Sequence, residues 1–120
     1  MSAAPAIVWI NGRLVPPEDA TVSVYDRGFT SGDGVFETLK VVDGKPFALT
    51  RHVKRLIESA HIIGFPPPTE RVLRDAVAET VAANTERLGA LGRLRITLTA
   101  GRPGGASAVP SRGESHLTLV

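Results

Sequence analysis

Thiols are absent from this chain of 120 residues, and aromatic side chains make up only 5% of it. The lack of cysteine excludes disulfides, thiolate metal ligands and a cysteine nucleophile. The three histidines, His52, His61 and His116, are not spaced as a metal-ligand set, because such sets place their ligands at short, regular intervals. We therefore expect no metal site.

The net charge is also small. The 14 basic and 12 acidic side chains give a formal charge of +2 at pH 7, and no basic run suggests a nucleic-acid partner. No apolar stretch approaches the roughly 20 residues that a membrane-spanning helix needs, and the first residues lack the pattern of a signal peptide. The expectation is a cytoplasmic protein that binds neither nucleic acid nor a membrane.

Two tight-turn signals organise the N-terminal half of the chain. Asn11-Gly12 and Asp43-Gly44 favour two-residue hairpin turns. Both positions of such a turn require positive φ, and Asn, Asp and Gly are the residues that adopt it most readily. Pro46 lacks a backbone donor, so its strand is expected to begin at a sheet edge. The strands expected in this half are residues 7–10, 13–15, 22–25, 35–42 and 46–49.

Two amphipathic helices are predicted after these strands. Thr50 is expected to cap the first helix, whose apolar positions recur at helical spacing to about Ile63, and Gly64 stops it. Thr69 is expected to cap the second helix, which ends near Asn84.

The last part of the chain returns to a strand pattern. Residues 93–99 alternate strictly, residues 101–113 are rich in Gly, Pro and Ser, and residues 115–120 indicate a strand. This order predicts one α+β domain over residues 1–120, with a mainly antiparallel sheet and two helices packed on one face. Because the chain stops within a strand pattern, we expect the natural sequence to continue past Val120. A native end on an edge strand is the alternative.

Three charged residues stand out from the pattern. Arg55 follows Arg51 by one helical turn, on the side opposite the apolar stripe. This side of the helix is either exposed to solvent or covered by a second layer. If it is covered, Arg55 can bind an anion, because a guanidinium binds two oxygens at once. Glu37 lies in an apolar strand row, where a carboxylate is paired, faces a cavity or is half exposed. Arg95 lies on the polar side of its strand, where it contacts solvent or a substrate.

The glycine-rich segment Gly28 to Gly34 does not indicate a nucleotide site. It lacks the Gly-Lys-Ser/Thr ending of a phosphate loop and leads into a strand, so no helix N-terminus follows to hold an anion. A structural role, with turns and close backbone approach, is the simpler interpretation.

The order of five short motifs resembles the N-terminal domain of the class IV pyridoxal-phosphate enzymes. This family includes branched-chain aminotransferases, D-amino-acid aminotransferases and 4-amino-4-deoxychorismate lyases. The motifs are Trp9-Ile10-Asn11-Gly12, Asp26-Arg27-Gly28, Gly32-Asp33-Gly34-Val35-Phe36-Glu37, His52-Val53-Lys54-Arg55-Leu56 and Arg93-Leu94-Arg95-Ile96.

The resemblance implies pyridoxal 5'-phosphate as the cofactor, with Arg55 binding its phosphate. It implies that Phe36 and Glu37 line the active-site region, that Arg95 lies near the substrate as in branched-chain enzymes, and that His52 has a supporting role. The implied substrate is an amino acid or an aminodeoxychorismate-like molecule, and the implied assembly is a homodimer.

The resemblance also implies that the chain carries no catalytic residue. Family members use a Schiff-base lysine in their second domain, and Lys40, Lys45 and Lys54 do not match its pattern. That lysine is therefore expected beyond Val120, in a C-terminal domain, and the chain alone is expected to be inactive. The alternative is a stand-alone small-molecule binding or interaction module that reuses the fold.

The subfamily stays open between two branches. The Asp26-Arg27-Gly28 and Gly32-Asp33-Gly34 motifs resemble the D-amino-acid aminotransferases and the lyases. Ala100-Gly101, however, replaces the Arg-Gly that D-amino-acid enzymes carry at this point, which argues against a D-amino-acid substrate. A general amino-acid aminotransferase and a deoxychorismate lyase both remain.

Overall fold

A computed structural model describes residues 6–102 and 115–120 of the chain. This part forms a six-stranded sheet in which every neighbouring pair of strands is antiparallel. The strands are β1 (Val8–Ile10), β2 (Arg13–Val15), β3 (Gly34–Val42), β4 (Lys45–Pro46), β5 (Leu91–Thr99) and β6 (His116–Leu119). Their order across the sheet is β2-β1-β6-β5-β3-β4. The helices are α1 (Arg27–Ser31), α2 (Leu49–Ile63), α3 (Glu70–Ala83) and α4 (Thr85–Leu88), with a 3-10 turn at Pro17–Asp19.

Both expected hairpin turns are confirmed. Asn11 and Gly12 have φ angles of 46° and 94°, and Asp43 and Gly44 have φ angles of 49° and 77°. Two successive residues with positive φ match the right-handed twist of the strands they join. The strand that contains Pro46 is an edge strand, as its missing backbone donor predicts.

The two long helices pack against one face of the sheet, as expected for the α+β class. The core between the layers is aliphatic, with one tryptophan and one phenylalanine at its margins. Its fully enclosed side chains include Leu39 and Val41 of β3, Ile96 and Leu98 of β5, Val53 and Leu56 of α2, and Leu73 and Val77 of α3. The expected Thr69 cap is also confirmed, because its hydroxyl accepts a hydrogen bond from the Val72 amide at 3.2 Å.

Within the described residues, the two long helices leave the opposite face of the sheet uncovered, and the short α1 lies against its end at Thr99. This face carries the alternate residues of the same strands, which pair across the sheet as Phe36 with Thr97 and Thr97 with Thr118. Thr38 and Arg95 form the next such pair. We call this polar surface the open face.

Three local predictions were wrong. Residues 22–25 form a turn and not a strand, because the Ser23 hydroxyl accepts from the Tyr25 amide and the Ser23 carbonyl accepts from the Asp26 amide. These bonds engage the backbone amides within the segment, so residues 22–25 form no hydrogen-bond ladder with another strand. The chain then enters α1, which the glycine content did not suggest.

The other two errors lie where β4 meets α2. The return strand ends at Pro46, because Ala48 adopts a left-handed conformation (φ 55°) and turns the chain into the helix. The helix therefore begins at Leu49, and its N-cap position is Ala48 without a side-chain cap. The Thr50 hydroxyl instead accepts from the Arg74 guanidinium of α3.

The C-terminal strand begins one residue later than predicted and ends one residue earlier. Most of the predicted loop over residues 101–113 lies outside the described residues. Within the described ranges, no helix is long and apolar enough to cross a bilayer.

Truncating a buried side chain between the helices and the sheet should lower the denaturant concentration at which the chain unfolds. Leu56 is fully buried between α2 and the sheet, so Leu56→Ala should lower the free energy of unfolding by about 2–5 kcal/mol. Ile62 on the same helix is 76% exposed, so Ile62→Ala should change it by no more than about 0.5 kcal/mol. Urea unfolding followed by circular dichroism measures both. Equal losses in the two variants would contradict the packing described.

Candidate functional site

In the described part of the chain, one half of β3 pairs with β5 on one side and with no strand on the other. β4 pairs only with Val41 and Val42, so residues 34–39 form an uncovered sheet edge in the described part of the chain. Successive side chains of a strand point to opposite faces. Groups from the helix-covered face and from the open face therefore meet along this edge.

On the helix side, Glu37 forms a charged cluster with two residues of α2. Its side chain is 8% exposed, and Glu37 Oε1 lies 2.8 Å from His52 Nδ1 and 3.7 Å from Arg55 Nε. Because an ionised carboxylate only accepts hydrogen bonds, the His52 contact requires a proton on Nδ1. Of the possibilities that the sequence left open for Glu37, the structure shows the paired one.

The outer part of Arg55 faces solvent. Its side chain is 61% exposed, and Glu37 is the one carboxylate within ion-pair distance of it among the residues described. A shallow cleft at the start of α2 is lined by three basic residues and one acidic residue, Arg51, Lys54, Arg55 and Glu58. The cleft therefore presents positive charge to solvent.

On the open face, Phe36 and Arg95 form a second pair. The Arg95 guanidinium carbon lies 4.0 Å from the centre of the Phe36 ring, and Arg95 Nε donates to Thr97 Oγ1 at 3.1 Å. These side chains border a depression of about 410 Å³, which we call the open-face pocket. Phe29 of α1 and His116 of β6 also line it.

The four predicted site residues are thus brought together in two pairs. Glu37 and Arg55 lie on the helix side of β3, whereas Phe36 and Arg95 lie on the open face. Phe36 and Glu37 are neighbours in sequence but point to opposite sides of the sheet. Both pairs adjoin the uncovered edge, although the sheet separates them.

Two features of this region were not predicted from the sequence. The first is the bond between His52 and Glu37, for which the available signals were a carboxylate in an apolar strand row and the one-turn spacing of His52 and Arg55. The second is Asp26, which is 1% exposed and lines the open-face pocket. The signal was an aspartate two residues before a glycine, a pattern typical of side-chain-capped turns.

The lysines do not enter either pair. Lys40, Lys45 and Lys54 are exposed, and Lys54 lines the cleft that also contains Arg55.

The chain matches a known protein family. Residues 34–120 match the family described as amino-transferase class IV. The chain belongs to this family.

Individual relatives point to more than one branch of it. The chain is 44% identical over 57 residues to a D-alanine aminotransferase of Staphylococcus aureus, a match that covers 48% of the chain and 20% of the relative. It is 31% identical over 118 residues to branched-chain-amino-acid aminotransferase-like protein 2 of Arabidopsis thaliana, covering 98% of the chain and 21% of the relative.

Solved structures agree with the fold. A hypothetical aminotransferase from Mycobacterium tuberculosis in its PLP-bound form superposes with a TM-score of 0.82 at 28% identity, covering 96% of the chain and 38% of that structure. The 4-amino-4-deoxychorismate lyase from Pseudomonas aeruginosa gives a TM-score of 0.73 at 32% identity, covering 94% and 38%. The chain therefore spans well under half the length of the proteins it matches.

The contact between Phe36 and Arg95 should be measurable as a coupling energy. A double-mutant cycle with Phe36→Leu and Arg95→Gln should show a coupling of about 0.5–1 kcal/mol in the free energy of unfolding, as cation–π pairs at exposed sites do. A parallel cycle of Phe36→Leu with Lys54→Gln, on the other side of the sheet, serves as the control. Additivity in both cycles, within about 0.3 kcal/mol, would argue against the stacked arrangement.

Proposed function

We propose that this chain is the part of a pyridoxal-phosphate-dependent class IV aminotransferase that binds the cofactor phosphate and one side of an amino-acid substrate. The complete protein would transfer the amino group of an amino acid to a 2-oxo acid. Family membership supports the reaction class. The observation that carries the proposal for this chain is the Glu37–His52–Arg55 cluster at the uncovered edge of β3.

The donor set of this cluster fits a phosphate group. A guanidinium has five N–H donors in a fixed plane, and the Arg55 Nε side is the side that faces Glu37. The terminal amino groups are therefore available to bind two phosphate oxygens. Arg51 and Lys54 in the same cleft add positive charge, which favours a dianion over a neutral ligand.

Glu37 would act by orienting the cation. A buried carboxylate between His52 and Arg55 limits the rotation of both side chains, so the guanidinium is held ready before the ligand arrives. Such preorganisation reduces the entropy lost on binding. Once bound, pyridoxal 5'-phosphate supplies an electron sink that stabilises negative charge at the substrate Cα.

Phe36 and Arg95 would contact the substrate from the open face. The Phe36 ring is 56% exposed and offers an apolar surface to a side chain. Arg95 is suited to an anionic group of an amino acid or an oxo acid, because a guanidinium binds a carboxylate with two parallel hydrogen bonds.

The remaining parts of the site are proposed to come from elsewhere. The three exposed lysines do not match the family's lysine pattern, so we place the lysine that links to the cofactor in a C-terminal domain beyond Val120. A homodimer is the proposed assembly, as in the family, and the cytoplasm the proposed location.

Removing the Arg55 guanidinium should weaken cofactor binding. In the full-length protein, Arg55→Ala should raise the dissociation constant for pyridoxal 5'-phosphate at least about tenfold, because hydrogen bonds to charged groups contribute roughly 1.5–3 kcal/mol. Arg71→Ala is the matched control, since the Arg71 side chain is 90% exposed on α3. Fluorescence or absorbance titration gives the constants. An unchanged affinity in Arg55→Ala would remove this residue from the proposed role.

The chain by itself should not catalyse amino transfer. We expect the full-length protein, but not the 120-residue chain, to retain the cofactor covalently after borohydride reduction, as detected by mass spectrometry. Only the longer protein should convert an amino acid and a 2-oxo acid into their partners.

Two other outcomes of this experiment point to different functions. Cleavage of aminodeoxychorismate without an oxo-acid acceptor would favour the lyase, which the likeness to the Pseudomonas aeruginosa enzyme keeps open. Tight small-molecule binding by the short chain, with no lysine captured in either form, would favour a stand-alone binding module.

A further inference from the structure

Asp26 is the most deeply buried charged residue of the described chain, and both of its carboxylate oxygens are engaged. The side chain is almost inaccessible, with a relative exposure of 1% for the residue. Oδ1 accepts from the Gly28 amide at 2.8 Å, and Oδ2 accepts from the Thr99 hydroxyl at 3.0 Å. The first bond caps α1, and the second joins α1 to the end of β5.

Further contacts hold the same two elements together. Thr99 Oγ1 accepts from the Gly101 amide at 3.2 Å, and the Arg27 amide donates to the Gly101 carbonyl at 2.9 Å. A Cβ atom on Gly28 would lie 2.3 Å from Thr99 Cγ2, so α1 rests directly on the threonine methyl group. We call this arrangement the Asp26–Thr99 latch.

The latch forms one wall of the open-face pocket. Asp26, Gly28 and Thr99 all line that pocket, and so does Phe29, which follows Gly28 in α1. Phe29 is 75% exposed, and Phe36 of β3 is 56% exposed and lines the same pocket. The distance between these two rings therefore depends on where α1 sits relative to β5.

We propose that Asp26, acting through Thr99, is a positioning residue that sets the width of the open-face pocket and thereby selects substrates by side-chain size. This inference rests on the proposed function, in which the pocket receives the substrate side chain. Among the described residues, no hydrogen bond or ion pair joins the latch to the Glu37–His52–Arg55 cluster, so the latch should affect side-chain selection without affecting cofactor binding.

The test compares variants of the full-length protein loaded with pyridoxal 5'-phosphate. Thr99→Val removes one hydroxyl at nearly constant volume, and Asp26→Ala removes both latch bonds. Each should change the ratio of kcat/KM for leucine to kcat/KM for alanine at least threefold, because Phe29 of α1 is then no longer held at a fixed distance from Phe36, with cofactor affinity changed less than twofold. Asp26→Asn can keep both contacts, because its Oδ1 can accept from the Gly28 amide and its Nδ2 can donate to Thr99 Oγ1. This variant should keep the ratio within twofold of the wild type.

A threonine outside the pocket provides the control for a merely structural effect. Thr69→Val removes the hydroxyl that caps α3, so it should lower the melting temperature and leave the leucine-to-alanine ratio unchanged. The proposal is overturned if the ratio is unchanged in Thr99→Val and Asp26→Ala, or if Thr69→Val changes it equally.

A second measurement separates the latch from the proposed function. Amide hydrogen exchange over residues 27–31 should be at least tenfold faster in Thr99→Val and Asp26→Ala than in the wild type, whether or not amino acids are substrates. A wild-type protein that converts neither amino acid contradicts the proposed function. Unchanged exchange in both variants contradicts the latch itself.

Discussion

Glu37 lies among aliphatic side chains at the contact between β3 and α2, where an unpaired carboxylate would cost several kcal/mol. The strand and the helix can therefore pack in this register only if α2 brings donors to that point. His52 and Arg55 do so, because they lie three positions apart on the same side of the helix. Together with the buried apolar stripe of α2, this pairing sets how the helix is rotated over the sheet, and it holds Arg55 beside β3 with most of its side chain exposed.

The strand itself distributes the site over two surfaces. Alternation along β3 sends Glu37 toward the helices and Phe36 toward the open face, while the short β4 leaves the edge between them uncovered. A ligand lying across that edge can contact a cationic cleft on one side and an aromatic pocket on the other. Neither the helices nor the sheet alone would bring these two environments within reach of one molecule.

Much of this fold could be predicted from the sequence because its signals are local. The hairpin turns depend on two residues each, and the long helices on apolar periodicity, so both were predicted correctly. The start of α2 was not, since Ala48 takes a positive φ that its residue type does not suggest. The turn at residues 22–25 was also missed, because hydrogen bonds that Ser23 accepts from the Tyr25 and Asp26 amides outweigh the β propensity of the valines. The pairing of Glu37 with His52, and of Asp26 with Thr99, joins residues 15 and 73 positions apart, and no local pattern encodes such contacts.

The uncovered edge of β3 has a consequence for how the chain behaves in solution. Backbone amides and carbonyls along residues 34–39 have no strand partner on that side within the described residues. Natural proteins shield such edges, because an exposed one can recruit a strand from another molecule and start aggregation. Lysine and proline discourage pairing at a sheet edge, but here Lys40 and Pro46 lie only near the Val42 end of β3. Recombinant preparations of the 120-residue chain should therefore lose monodispersity as concentration rises, unless another polypeptide segment occupies the edge.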